Sequence, residues 1–249
     1  MNTLGTLELK DQVALITGGT AGIGLEAAKL FVREGATVVI SGRNTERGKA
    51  AAASIPEGPG SVRFIAADLA DLESVGELAE QAGPVDILVN NASALPVAAT
   101  VEQSVAGFEQ LFDTNVRGPY FLTASLVPAM LAKGSGSIVN VTTMAASMGV
   151  PGSSGYAATK AALGSFTRTW AAEFGPSGVR VNSVSPGPTI TEGVLVEWGD
   201  GVAELGKGLP LRRTAEPLEI AEAILFLASP RSSFVTGATL AADGGATAV

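Results

Sequence analysis

The chain has 249 residues, 46% apolar and 16% charged, with a formal net charge of −8; this allows one large α/β domain or two small ones with a sizeable core. The acidic balance, with no Lys/Arg cluster, predicts no nucleic-acid or anionic-membrane partner. Cys and His are both absent, which excludes disulfides, thiolate nucleophiles, Ser-His-Asp schemes and the usual zinc catalysis, so no metal is expected and proton transfer falls to Asp, Glu, Lys or Tyr.

Met1 to Gln12 lacks a basic start followed by an apolar stretch, and no apolar run approaches the ~20 residues that span a bilayer. The expected location is the cytoplasm. Short β-branched runs then alternate with segments of helical period. Val13–Thr17 reads as a buried strand, followed by a Gly-rich turn and a helix from Gly22 to Glu34 that Gly35 closes. Thr37–Ser41 is a second strand and Thr45–Ser54 a helix that ends in the Pro/Gly-rich loop Pro56–Gly60. Val62–Ala66, helix Asp71–Ala82 and strand Asp86–Val89 come next. A long helical stretch covers Val101–Lys133, with a division expected at Gly118-Pro119. Strand Ser137–Thr142, helix Tyr156–Phe174, strand Val179–Val184, helix Pro217–Ala228 and a short strand Thr239–Ala241 complete the chain. This alternation predicts an α/β fold: a doubly wound parallel sheet with helices on both faces. With no linker or repeat, residues 1–249 read as a single domain.

Thr17-Gly18-Gly19-Thr20-Ala21-Gly22-Ile23-Gly24 lies between the first strand and the first helix. Glycines there let the backbone turn sharply and approach a pyrophosphate, to which the helix N-terminus offers N–H groups and a positive dipole end. Gly22-Ile23-Gly24-Leu25-Glu26-Ala27 also matches the general dinucleotide fingerprint, in the first strand–helix unit where that fingerprint belongs. After the second strand, Ser41-Gly42-Arg43-Asn44 has no carboxylate for a ribose 2′-hydroxyl. Arg43 stands where a guanidinium pairs with a 2′-phosphate, so NADP(H) is preferred, with NAD(H) also open.

Thr17-Gly18 with Gly22 and Gly24, Asn90-Asn91-Ala92, Asn115, Tyr156 with Lys160 four residues on, and Pro186-Gly187 occur in one order and spacing. The closing stretch holds Phe226-Leu227-Ala228-Ser229, Thr236-Gly237 and Asp243-Gly244-Gly245. Together these resemble the short-chain dehydrogenase/reductase family over almost the whole chain. The resemblance implies a single Rossmann-type domain, a nicotinamide cofactor, hydride transfer between a carbonyl and an alcohol, and a homotetramer. It also implies that Lys160 holds the nicotinamide ribose and that Asn115 organises a water relay behind it. Asp68 and Leu69 match the family's positions flanking the adenine, and Asn91 and Ala92 lie where ligands of open α/β sheets bind. By the same resemblance Thr189, through its backbone, and Thr191, through its hydroxyl, hold the carboxamide after Pro186-Gly187. Gly18, Thr20, Gly22, Ile23 and Gly24 supply the phosphate loop.

The chemistry of the residues agrees. Tyr156 and Lys160 are four apart and share a helix face. A phenol of pKa near 10 is a poor acid/base at neutral pH, and a nearby ammonium is expected to lower it. Tyr156 then donates a proton to a carbonyl oxygen as hydride reaches the carbon, or accepts one in reverse. Two positions depart from the family's pattern. Thr143 stands where the family has its substrate-orienting Ser, which keeps the hydroxyl but adds a methyl; Ser147 and Ser153 are the alternatives. Ser93 replaces a Gly after Asn-Asn-Ala and is expected to crowd the cofactor or shift the loop slightly.

The segment from Thr191 to Leu209 reads as a flexible substrate lid. Leu195 and Trp198 on it, with Thr143 and Ala145 across from it, are the candidate substrate contacts, and the apolar cluster suggests a bulky hydrophobic substrate. Gly201 to Lys207 imitates the start of a P-loop, but Gly208 follows where Ser or Thr is needed. The function expected is NADPH-dependent, reversible reduction of a small-molecule ketone or aldehyde. A 3-oxoacyl-carrier-protein reductase is the rival, with Arg212 and Arg213 as its basic residues at the mouth. A catalytically silent NAD(P)-sensing protein is the rival of another class.

Overall fold

Val13–Thr17 and Thr37–Gly42 lie side by side because both runs are apolar on both faces, as strands buried in a parallel sheet must be. They are β1 and β2. Five more follow: β3 (Ser61–Ala66), β4 (Ile87–Asn90), β5 (Gly136–Val141), β6 (Val179–Pro186) and β7 (Thr239–Ala242). The computed structural model describes residues 7–95, 98–199 and 201–249. All seven strands are parallel, in the order β3-β2-β1-β4-β5-β6-β7. The chain builds outward from β1 to one edge, then returns to β4 and builds to the other. The crevice beyond the carboxyl ends of β1 and β4 is therefore a topological switch point, where sheets of this kind bind ligands.

Nine helices are described: α1 (Gly22–Arg33), α2 (Thr45–Ser54), α3 (Leu72–Ala82), α4 (Val105–Phe112), α5 (Gly118–Lys133), α6 (Ser154–Phe174), α7 (Glu192–Trp198), α8 (Gly201–Lys207) and α9 (Pro217–Ala228). Successive strand side chains point to opposite faces. Ala14, Ile16, Val38 and Ile40 thus pack with Phe31 and Ile224 from α1 and α9, while Leu15 and Val39 pack with Leu78, Leu122 and Trp170 from α3, α5 and α6. Burying each such large side chain contributes about 1.5–3 kcal/mol. The two cores clamp the sheet and fix the strand ends that carry the site.

Two expectations change in detail. The long helical stretch does not break at Gly118. It starts at Val105, where the Ser104 hydroxyl accepts the Gly107 N–H at 3.1 Å, and passes through a π-helical turn, Asp113–Arg117, directly into α5. Gly118-Pro119 opens α5 where the π-helical turn ends, a change of hydrogen-bond register at which the missing proline N–H is tolerated. The segment read as a lid coils into two short helices, and the Thr191 hydroxyl starts α7 by accepting the Val194 N–H at 3.2 Å. Among the described residues no helix is long and apolar enough to cross a membrane.

Candidate active site

β1 ends at Thr17, whose hydroxyl accepts the backbone N–H groups of Asn91 and Ala92, both at 3.1 Å, and donates to the Val89 carbonyl at 3.2 Å. The Asn91 amide donates to the carbonyls of Thr17 and Gly18 at 2.9 and 3.1 Å. These bonds stitch the loop after β1 to the loop after β4. Gly18 has φ +65°, and a Cβ there would lie 2.8 Å from Ala92 Cα; a Cβ at Gly24 would strike the Gly18 carbonyl. A side chain at either would break the stitching.

α1 starts after Ala21, which supplies no side-chain cap, whereas Asn44, Asp71 and Ser104 cap α2, α3 and α4. Its first-turn N–H groups open beside Gly18, Gly22 and Ile23 on a cleft of about 1090 Å³. Thr20 and Gly24 lie behind this lining, Thr20 against Gly42. Backbone donors at an uncapped helix start, behind a loop with no room for side chains, fit a pyrophosphate. The residues present thus fit a dinucleotide.

The cleft runs from Arg43, between β2 and the Asn44 cap of α2, to Tyr156 and Lys160 on α6. Lys160 is 1% exposed; its Nζ lies 5.9 Å from the centre of the Tyr156 ring and donates to the Val141 carbonyl, at the end of β5, at 2.9 Å. Burial pushes the Lys160 ammonium down to about 7. Burial also pushes the Tyr156 phenol up to about 12, and the hydroxyls of Ser93 and Thr143 pull the other way. The expected lowering of the phenol by Lys160 is therefore not found. Both groups are starved of solvent, each favours its neutral form, and the ammonium is turned to a β5 carbonyl.

Asn115 occupies the π-helical turn and is fully buried. Its Nδ2 donates to the Ala94 carbonyl at 2.9 Å and to Thr159 Oγ1 at 3.1 Å, while its Oδ1 accepts from the Ala94 N–H at 2.7 Å and from Ser93 Oγ at 3.3 Å. Asn115 thereby ties the loop after β4 to the first turns of α6. Ser93, which in the sequence is only a departure from the family's pattern, hydrogen-bonds Asn115 and is one of the two hydroxyls that draw the phenol down. The departure itself was the available signal. Thr143 accepts the Ala145 N–H at 3.4 Å, which leaves its proton free for the phenol or a substrate oxygen. Of the two alternative serines, Ser153 lines the cleft and is buried, while Ser147 is exposed and outside the lining.

Pro186, Gly187, Thr189 and Thr191 line the cleft beyond β6. Thr189 Oγ1 donates to the Gly187 carbonyl at 3.0 Å, and the Thr191 hydroxyl, already an acceptor for Val194, keeps its proton to donate. Asp68 and Leu69 are not part of the lining: the Asp68 carboxylate accepts the Ala70 N–H at 3.0 Å, and Leu69 is buried in the core on the α3 side. At the reacting end Ala145 joins Met144, Met148, Val194, Val202 and Leu209 in an apolar wall. Leu195 is outside that wall and 44% exposed, because helical winding separates neighbouring side chains by about 100°. The Trp198 side chain lies outside the described residues.

The family model described as enoyl-(acyl carrier protein) reductase matches residues 18–247. The chain belongs to the short-chain dehydrogenase/reductase family. As a short-chain dehydrogenase/reductase it is an NAD(P)-dependent oxidoreductase acting on alcohol or ketone groups. A solved structure described as a short chain dehydrogenase/reductase family protein is 63% identical, with a TM-score of 0.92, covering 97% of this chain and 100% of that one. A second, a proposed NAD(P)-dependent gluconate 5-dehydrogenase from Beutenbergia cavernae with NADP bound at low occupancy, is 36% identical with a TM-score of 0.93, over 98% of this chain and 100% of that one. Among curated relatives, a cyclopentanol dehydrogenase from a Comamonas strain is 36% identical over 96% of this chain and 98% of its own. A 3-oxoacyl-(acyl-carrier-protein) reductase from Chlamydia muridarum is 37% identical over 98% and 99%.

Proposed function

We propose that the protein reduces a neutral, mainly apolar ketone to its alcohol, reversibly, with NADPH as the preferred hydride donor. The distribution of charge along the cleft carries this reading. Among the described lining residues the charged side chains are Lys160, beneath the phenol, and Arg43, Arg47 and Glu192 at the other end. The apolar wall beside Tyr156 offers a carboxylate or phosphate no counter-charge, whereas Arg43 offers one to a ribose 2′-phosphate.

A bound nicotinamide cofactor supplies the hydride and, when oxidised, a positive charge that favours the phenolate. Gly18, Gly22, Ile23 and Gly24 would hold its pyrophosphate, Lys160 its nicotinamide ribose, and Thr189 and Thr191 its carboxamide. Asp68 and Leu69, which the family resemblance puts at the adenine edge, stand outside the lining of the cleft and would reach the adenine only from behind it. Thr143 donates a hydrogen bond to the substrate carbonyl oxygen and orients it. Tyr156 gives that oxygen its proton as the carbon is reduced, and takes it back in the reverse direction. The assembled enzyme is proposed to be a cytoplasmic homotetramer. Tyr120 and Phe121 on α5, each more than 40% exposed, and Phe234, fully exposed, give it apolar faces to bury; light scattering of the purified protein tests this.

The test of function is cofactor oxidation against a panel of cyclic and linear ketones, with a β-ketoacyl thioester included and both NADPH and NADH supplied. Preference for ketones without charge and for NADPH supports the reading. The second reading, a 3-oxoacyl-carrier-protein reductase, is favoured by the names of several relatives. Against it, Arg213 is already held by Glu219 through two 2.7 Å bonds, which draw the Glu219 carboxyl down to about 2. A strong preference for the carrier-bound thioester would replace our reading with that one. Tight cofactor binding with no turnover of any carbonyl would instead mark a sensor.

A further inference from the structure

Arg47 and Glu192 are 145 residues apart in sequence, yet Arg47 Nη2 lies 2.7 Å from Glu192 Oε2. Arg47 projects from the first turn of α2, four residues after Arg43, and its backbone N–H is held by the capping Asn44 at 2.9 Å. Arg43, Arg47 and Glu192 all line the large cleft. Glu192 is the first residue of α7, next to Thr191, whose methyl lies 3.0 Å from where a Cβ on Gly22 would sit. The ion pair therefore spans the cleft above the phosphate loop, from the bank that carries Arg43 to the bank that carries the substrate end.

We propose that Arg47 is a second anchor for the 2′-phosphate of NADP(H), and that Glu192 competes with that phosphate for it. The proposal rests on the NADPH reading above. Arg43, just before the capping Asn44, and Arg47, in the first turn of α2, both line the cleft and together provide a fork for a phosphate that a single Arg cannot surround. The Arg47 and Glu192 side chains are 46% and 69% exposed, and an ion pair this wet is held weakly. A phosphate monoester brings close to two negative charges and three acceptor oxygens, so it outcompetes one carboxylate for Arg47. Without a 2′-phosphate the pair stays closed across the cleft. Cofactor identity is thereby felt at the first residue of α7, and Glu192 becomes a determinant of how strongly NADP(H) is preferred.

The test is calorimetric titration of 2′,5′-ADP and 5′-AMP into the wild-type protein and the Arg43→Gln, Arg47→Gln and Glu192→Gln variants, all at exposed positions that leave the fold intact. We expect Arg47→Gln to weaken 2′,5′-ADP about tenfold and leave 5′-AMP unchanged, as loss of a charge-assisted contact should. Glu192→Gln is expected to strengthen 2′,5′-ADP roughly threefold, again with 5′-AMP unchanged. If the wild-type protein prefers 2′,5′-ADP and Arg43→Gln abolishes that preference while Arg47→Gln does not move it, the second anchor is overturned and the NADPH reading stands. Weaker 2′,5′-ADP binding by Glu192→Gln would overturn the competition. A wild-type protein that does not distinguish the two nucleotides overturns the NADPH reading itself.

Discussion

Tyr156 and Lys160 meet the same difficulty from opposite sides. Burial makes the phenolate costly and the ammonium costly, so the resting pair is neutral acid above half-neutral amine, at about 12 and about 7. That suits reduction, in which the phenol must keep its proton until the substrate oxygen gains charge. Replacing Tyr156 with Phe should lower turnover by about 10²–10⁴-fold while cofactor affinity, read by fluorescence titration, stays close to wild type. The two hydroxyls on the phenol favour its ionised form. Removing either therefore raises the phenol's pKa, and alcohol oxidation, which needs the phenolate, should require higher pH. Ser93→Gly is expected to shift the acidic limb of the oxidation profile upward by roughly half a unit, a value set by the worth of one hydrogen bond. Thr143→Val should do the same and also cut turnover severely, because its proton serves the substrate. Near-normal turnover in Thr143→Val would transfer the orienting role to Ser153, which shares the cleft.

At the scale of the elements, legibility followed locality. The β-branched runs named every strand to within two residues, and the Gly-rich turn named the cradle, because both signals reside in adjacent residues. The π-helical turn at Asp113–Arg117 was not legible: what stabilises it is Asn115 reaching to Ala94 and Thr159, partners distant in sequence. Leu195 was read correctly as part of an apolar run and wrongly as a lining residue, since the phase of α7 is fixed by where Thr191 starts it. Ser93 was signalled only as a departure from the family's pattern, since its partner Asn115 lies 22 residues away. α9 shows a further long-range device. Arg180 on β6 donates to the carbonyls of Leu227, Ala228 and Ser229 at 2.8, 3.3 and 3.2 Å and to Ser232 Oγ at 2.7 Å. It closes the carboxyl end of α9, where a cation also meets the negative end of the helix dipole. Arg180→Met should cost about 1.5–3 kcal/mol, the range for hydrogen bonds to a charged group, and lower Tm in a thermal melt without altering KM.

For the molecule as a whole, the site is a burden that the two cores carry. Lys160 has its ordinary value of 10.5 in the unfolded chain and about 7 in the folded one. Between those pH values the unfolded chain holds a proton that the folded chain does not, so stability must rise with pH across that window. Where the difference is one full proton the slope is about 1.4 kcal/mol per pH unit. Tyr156 acts only above its unfolded value of 10.0, where the unfolded phenol ionises and the folded one, at about 12, does not, so there it lowers stability. Below pH 10 the Lys160 slope is unopposed by the phenol. Urea unfolding of the cofactor-free protein should therefore show a stability gain of about 2 kcal/mol between pH 7.5 and 9. Lys160→Met, which cannot titrate, should flatten that slope and be the more stable protein at pH 7, since its core no longer hides an ionisable amine. Equal slopes in the two proteins would mean that Lys160 stays fully charged when folded, and the account of a half-neutral amine beneath the phenol would fail with it.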